Sequence, residues 1–214
     1  MTAKKLLSSN YLKSIFQLTM GSFMAQVISV VVSPISTRLY TPEQLGVYTL
    51  IITVVSMFGP VLSGKYDMVI VSAEDEKETI NLVFVSAIFS ILFITIITVA
   101  YRFYLFKNPE IIEEVGGFAY LLVGILIIRA ITNILDNYNN KYKEYKIISS
   151  VYVIKTLVKN VGLVVFGLLK FGSIGLLLSE VFGSLFGLKK QSKLLYRNRF
   201  LFKKISLKGI KRTL

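Results

Sequence analysis

Four charged side chains interrupt stretches of sequence that are otherwise too apolar to hold them: Arg129, Lys155, Lys159 and Glu180. A charge near the centre of a bilayer costs about 2.5 kcal/mol or more, so each of these needs a partner or a use. Counted along their apolar runs, Arg129 lies about six residues from one membrane face, and Lys155 and Glu180 about eight from the same face. At about 1.5 Å per residue that puts all three roughly 9–12 Å deep, with Lys159 one turn further on. Ser149, Tyr152, Thr156 and Asn160 join the two lysines in a polar stripe about 140° wide at roughly 100° per residue. Such a stripe faces protein or a water-filled cavity. Two chemistries fit it. In one, Glu180 neutralises a single cation and the others snorkel to the interface. In the other, a cavity of net positive charge receives an anionic group such as a lipid-linked pyrophosphate. Arginine suits that task because its planar fork can hold two phosphate oxygens, whereas a lysine acts as a point charge.

The rest of the composition excludes several classes. The chain has no cysteine and no histidine, which removes disulfides, thiolate or imidazole metal sites, and histidine-dependent catalysis. No metal and no cofactor is expected. Asp67 is the one isolated acid placed for catalysis near a membrane face, and the sequence offers it no catalytic partner, so an enzyme is not expected. Net charge is +13 from 25 basic and 12 acidic residues. In a chain that is 54% apolar with a mean hydropathy of +0.65, this excess reads as membrane orientation and not as nucleic-acid binding.

The elements that must position these groups are membrane helices. Apolar runs at 11–33, 45–63, 80–101, 118–135, 147–169 and 173–188 approach or exceed the length a spanning helix needs, about 17–25 residues, with the sixth the shortest. The expected architecture is all-α and polytopic, with a six-helix lobe over 1–188 and a basic cytoplasmic tail over 189–214. Pro34 is expected to end or kink the first helix. On that helix Thr19, Ser22, Gln26, Ser29 and Ser33 share a face, either for helix packing or as a cavity lining. Thr41-Pro42-Glu43-Gln44 reads as a helix start with a capping box, and Gly59-Pro60 as a kink. Residues 64–79 read as a polar loop, 102–117 as a loop broken at Pro109 and Gly116-Gly117, and 136–146 as a connector. Gly175, Ser179, Gly183 and Gly187 lie four apart and permit close helix contact. With no tryptophan in the chain, tyrosines at span ends, among them Tyr11, Tyr40, Tyr104, Tyr138 and Tyr196, are expected to be interfacial anchors. With the N-terminus in the cytoplasm, 18 Lys and Arg fall on that side and 4 on the other. Both termini are therefore expected to be cytoplasmic.

Two patches carry a family resemblance. Ser33 to Leu50, with Arg38 followed by an apolar-aromatic pair and Thr-Pro-Glu-x-x-Gly-x-Tyr-x-Leu, resembles the first hairpin of bacterial polysaccharide-export flippases. That family is related to the multidrug and toxin extruders. Lys65-Tyr66-Asp67-Met68-Val69-Ile70, followed by the acids Glu74 to Glu78, resembles a second patch of the same family, with Lys65 where arginine is usual. The resemblance implies one lobe of a two-lobe transporter in the bacterial inner membrane. Such a transporter moves a polyprenyl-pyrophosphate-linked oligosaccharide across the membrane for surface polysaccharides of the O-antigen or capsule kind. It implies a membrane lipid and a lipid-linked oligosaccharide as partners, with a second six-helix lobe or polysaccharide-assembly proteins beside them. Arg38 then joins Arg129, Lys155 and Lys159 as a candidate for the anionic head group. Asp67 joins Glu180 as a counter-charge or gating candidate, and Ser22, Gln26, Ser29, Tyr152, Thr156 and Asn160 become candidate cavity lining. A cation-coupled drug exporter and a non-transporting fragment or accessory subunit remain as alternatives.

Overall fold

The computed structural model describes residues 9–107, 119–205 and 210. Lys4 and Lys5, the breakers Pro109 and Gly116-Gly117, and all but one of residues 206–214 lie outside the described residues. In chain order the helices are α1 (Ser9–Leu39), α2 (Pro42–Phe58), the short α3 (Tyr66–Val69), α4 (Glu76–Lys107), α5 (Ala119–Lys141), α6 (Tyr145–Leu168), α7 (Gly172–Gln191) and the short α8 (Lys193–Arg197). Short 3-10 turns follow α2, α3 and α8. Six of the helices are long and apolar enough to cross a membrane. Among the described residues the protein is all-helical, a polytopic membrane protein.

The first turn of chemistry in the sequence holds. Thr41 is extended, its side chain accepts from the Gln44 N–H at 3.4 Å, and the Gln44 side chain accepts from the Thr41 N–H at 3.2 Å. With Pro42 at the first helical position, this box fixes where α2 begins. Gly59 and Pro60 end it in a 3-10 turn.

Other boundaries differ from the sequence expectation. Helix α1 does not stop at Pro34 but runs through it to Leu39. Ending the helix there leaves several carbonyls without intrahelical partners, whereas continuing past proline forfeits one hydrogen bond. Ser36 and Thr37 hydroxyls donate to the carbonyls of Ser33 and Pro34 at 2.8 and 3.1 Å, supplying local polar contact at the proline. The connector is reduced to Tyr40 and Thr41. Helix α4 continues past Arg102 to Lys107, and α5 continues past Asp136 to Lys141. The turn after α5 comes at Lys143, whose φ of 57° is left-handed. The polar loop 64–79 contains α3 and the first turn of α4, and the basic tail folds back as α8 and a 3-10 turn. Tyr104 and Tyr196 are exposed as anchors should be, but Tyr40 and Tyr138 are buried. Tyr40 donates to the Leu163 carbonyl at 2.7 Å, and Tyr138 accepts from Asn198 at 3.1 Å.

Packing orders the helices. α6 lies between α1 and α7, and α7 in turn meets α2 and α5, while α4 packs on α5. One apolar cluster joins α2, α4, α5 and α7 through Ile51, Val55, Ile94, Leu122, Leu126 and Leu177. A second closes the end of the fold where α8 docks, through Ile70, Ile80, Tyr138, Leu194 and Leu201.

Candidate functional site: a charged cluster between α2, α5, α6 and α7

The four spaced small residues of α7 form its seam with α6, and this seam sets the charged geometry. Gly175, Ser179, Gly183 and Gly187 are all buried. A Cβ at Gly183 would lie 2.7 Å from the Lys155 carbonyl oxygen and 2.9 Å from the Lys159 Cβ. No side chain fits there, so the two backbones meet at the level of both lysines. Glu180, one turn before Gly183 on α7, is thereby carried to them.

Glu180 pairs with both. Lys159 Nζ lies 2.6 Å from its Oε2, and Lys155 Nζ lies 3.9 Å from its Oε1. The Tyr48 hydroxyl of α2 donates to the same Oε2 at 3.4 Å. Lys159 Nζ also stands 5.9 Å from the Tyr48 ring centroid, within reach of a cation–π attraction. Burying a charge is tolerable when it is paired and hydrogen-bonded, and Glu180 is both. Lys155 holds the looser contact.

Arg129 enters from α5. Its side chain lies over Gly59, whose missing Cβ would stand 3.2 Å from the Arg129 Cγ. The Arg129 Nε is buried and has no hydrogen-bond partner. Beside it a cavity of about 80 Å³ is lined by Ser56, Arg129, Lys155, Glu180 and Ser184 together with Ile52, Val55 and Ile125. At about 30 Å³ of liquid volume per water, it has room for two or three waters and none for a sugar.

One acid beside the cluster differs from the sequence expectation. Asp136 falls at the start of the expected 136–146 connector, but α5 continues through it to Lys141. There it accepts a hydrogen bond from the Gln191 side chain, and no cation among the described residues lies within ion-pair distance of it. Among the described residues Glu180 is thus the carboxylate that pairs with the lysines, and Asp136 stands apart from that pairing.

The described residues cover every other candidate. Arg38 is exposed in the last turn of α1. That end of α1 packs at Gly167, eight residues or about 12 Å along α6 from Lys159, so Arg38 is not brought to the cluster. Asp67 is buried and bound by the Ser63 hydroxyl and by Asn137 Nδ2 at 3.1 Å. It belongs to the α2–α4 connection and pairs with no cation among the described residues. Ser22, Gln26 and Ser29 are exposed on α1, away from Gly21, which meets Ser149 of α6. The polar stripe of α6 is split. Ser149 faces α1, Lys155 and Lys159 face α7, Tyr152 is exposed, Thr156 is half-buried, and Asn160 is buried with its amide on the Thr156 carbonyl at 2.8 Å.

A family model described as polysaccharide biosynthesis protein matches residues 35–210. The chain belongs to that family. No curated protein and no solved structure matches it. In this polysaccharide biosynthesis protein the matched segment contains the whole charged cluster and the capping box, while Ser22, Gln26 and Ser29 precede it. Sequence reasoning missed Asp136, Tyr48, Ser56 and Ser184. Asp136 is seven residues from Arg129, two helical turns, and shares its face only because α5 continues past Leu135.

Proposed function

We propose that this polysaccharide biosynthesis protein is one lobe of a flippase for lipid-linked oligosaccharides, and that Arg129, Lys155 and Lys159 engage the pyrophosphate of the carrier lipid. The observation that carries the reading is the cluster itself: three cations, a small water-sized cavity and an unpartnered Arg129 Nε in the interior of four spanning helices. An incoming phosphate competes with Glu180 for the lysines. Lys155, at 3.9 Å, is released more easily than Lys159, at 2.6 Å. The cavity accommodates no sugar in this arrangement, so the helices around it separate for transport, and Glu180 re-closes them afterwards. The exposed polar face of α1, with Ser22, Gln26 and Ser29, suits contact with a second six-helix lobe or a shared aqueous cavity better than contact with lipid. The expected setting is the bacterial inner membrane with both termini cytoplasmic, on the 18-to-4 charge asymmetry.

A second reading has one observation in its favour. Asp136 adds a second carboxylate to Glu180 on the spanning helices, here near the membrane face, and a cation-coupled drug exporter of the related superfamily would use such a pair. Complementation separates the two readings. In a strain lacking the corresponding flippase, the chain is expressed with a matching second lobe and surface polysaccharide is measured. The flippase reading expects Lys159→Gln to lower export at least tenfold, the scale of one lost charge-assisted hydrogen bond of about 1.5–3 kcal/mol. Export that survives Lys155→Gln and Lys159→Gln together but is lost in Asp136→Asn supports the cation-coupled reading instead.

A further inference from the structure

The basic segment after α7 is folded, and its fold sorts its side chains. Leu194 and Leu201 are buried in the apolar cluster with Ile80 and Tyr138, and Asn198 Nδ2 donates to the Tyr138 hydroxyl at 3.1 Å. These contacts pin α8 and the following turn against the ends of α4 and α5. The opposite face is left with Lys193, Tyr196, Arg197, Arg199, Phe200 and Phe202, all exposed. Arg199 donates to the Tyr196 hydroxyl at 2.9 Å and lies 5.0 Å from its ring centroid, so its guanidinium is held in place rather than free to wander. Between this face and the first turn of α6 lies a cleft of about 570 Å³, lined by Lys193, Tyr196, Arg197 and Arg199, with Leu194 and Ile147 at its apolar side. Glu144 is the one acid in its lining. The cleft sits where α6 begins and α7 ends, and the ends of spanning helices are where headgroups are met.

The geometry points to a binding site for the phosphate of an anionic phospholipid in this cleft. Charge decides the occupant: three cations against one carboxylate select an anion. The exposed aromatic residues beside them select a ligand with an apolar body, since such rings sit at the boundary between headgroup and acyl chain. A basic residue close to a membrane surface attracts anionic lipid appreciably, and the attraction is screened by salt. The site is independent of the intramembrane cluster, because its ligands are outside that cluster and it does not require transport. Its occupancy would fasten the end of α7, and through α7 the level at which Glu180 meets Lys159.

The test uses the full chain purified in mild detergent and offered equal amounts of phosphatidylglycerol and phosphatidylethanolamine, with retained lipid counted by native mass spectrometry. The expected result is a preference for phosphatidylglycerol that falls about fivefold for each cation removed among Lys193→Gln, Arg197→Gln and Arg199→Gln. Because all three side chains are exposed, the variants should keep the unfolding temperature of the parent measured without lipid. The parent protein gives a second readout: its preference should shrink as salt rises from about 0.05 to 0.5 M. A preference unchanged in the triple variant, or insensitive to salt, overturns the proposal. So does displacement of phosphatidylglycerol by an equal concentration of inorganic phosphate, which would make this a free-anion site. Loss of the preference in Lys155→Gln with the triple variant unaffected would place the lipid at the intramembrane cluster, and also overturns it.

Discussion

At the scale of single residues, the protein depends on one carboxylate serving two lysines. Glu180 sits 2.6 Å from Lys159 and 3.9 Å from Lys155 and accepts from Tyr48. Glu180→Gln leaves both ammonium groups without their nearest counter-charge, and removing one partner of a buried pair costs about 3–5 kcal/mol. A marked fall in the thermal unfolding temperature is therefore expected, with Lys155→Gln milder because its contact is longer. The double variant Glu180→Gln with Lys159→Gln should recover part of the loss, since Lys159, the closer of the two partners, is then no longer stranded and only Lys155 is. An unfolding temperature of Glu180→Gln equal to that of the parent would show that the pair holds nothing together. The depth of these charges was legible from the sequence because it needs only a count along an apolar run. The role of Asp136 was not. Its placement depends on α5 continuing to Lys141, and nothing local marks that continuation once the apolar run has ended at Leu135.

At the scale of elements, the α6–α7 seam governs how closely the charges meet. Gly183→Ala puts a methyl 2.7 Å from a carbonyl oxygen on α6, and overpacking of that kind costs about 1–3 kcal/mol. The matched control is Gly46→Ala in α2, where nothing lies within 4 Å of the added carbon. Relieving a helix-interior glycine there should stabilise by about 0.5–1 kcal/mol. Thermal unfolding of the two variants should thus shift in opposite directions, and a shift in the same direction would contradict the seam. This seam and the Thr41–Gln44 capping box were readable because four-residue spacing and cap chemistry are local rules. The passage of α1 through Pro34 was half legible, because the local rule for proline allows either an end or a kink and does not choose between them. The split of the α6 stripe was hidden for a different reason: spacing says which residues share a face but not which neighbour each part of that face meets.

At the scale of the whole molecule, six spanning helices and an excess of positive charge on one side predict both termini in the cytoplasm. Reporter fusions at Lys107, where α4 ends, and after Leu214 should report opposite sides of the membrane, and the same side for both would contradict the topology. The central claim is that the cluster of Arg129, Lys155 and Lys159 binds a lipid-borne pyrophosphate in competition with Glu180. The measurement closest to it is calorimetric titration of the full chain in lipid nanodiscs with a short-chain prenyl pyrophosphate, and with the corresponding prenol as the uncharged control. The pyrophosphate should bind and the prenol should not. Arg129→Gln and Lys159→Gln should each weaken binding about tenfold or more, the scale of a lost charge-assisted hydrogen bond. Equal affinity for the pyrophosphate and the prenol, or pyrophosphate binding untouched by either substitution, would contradict the account.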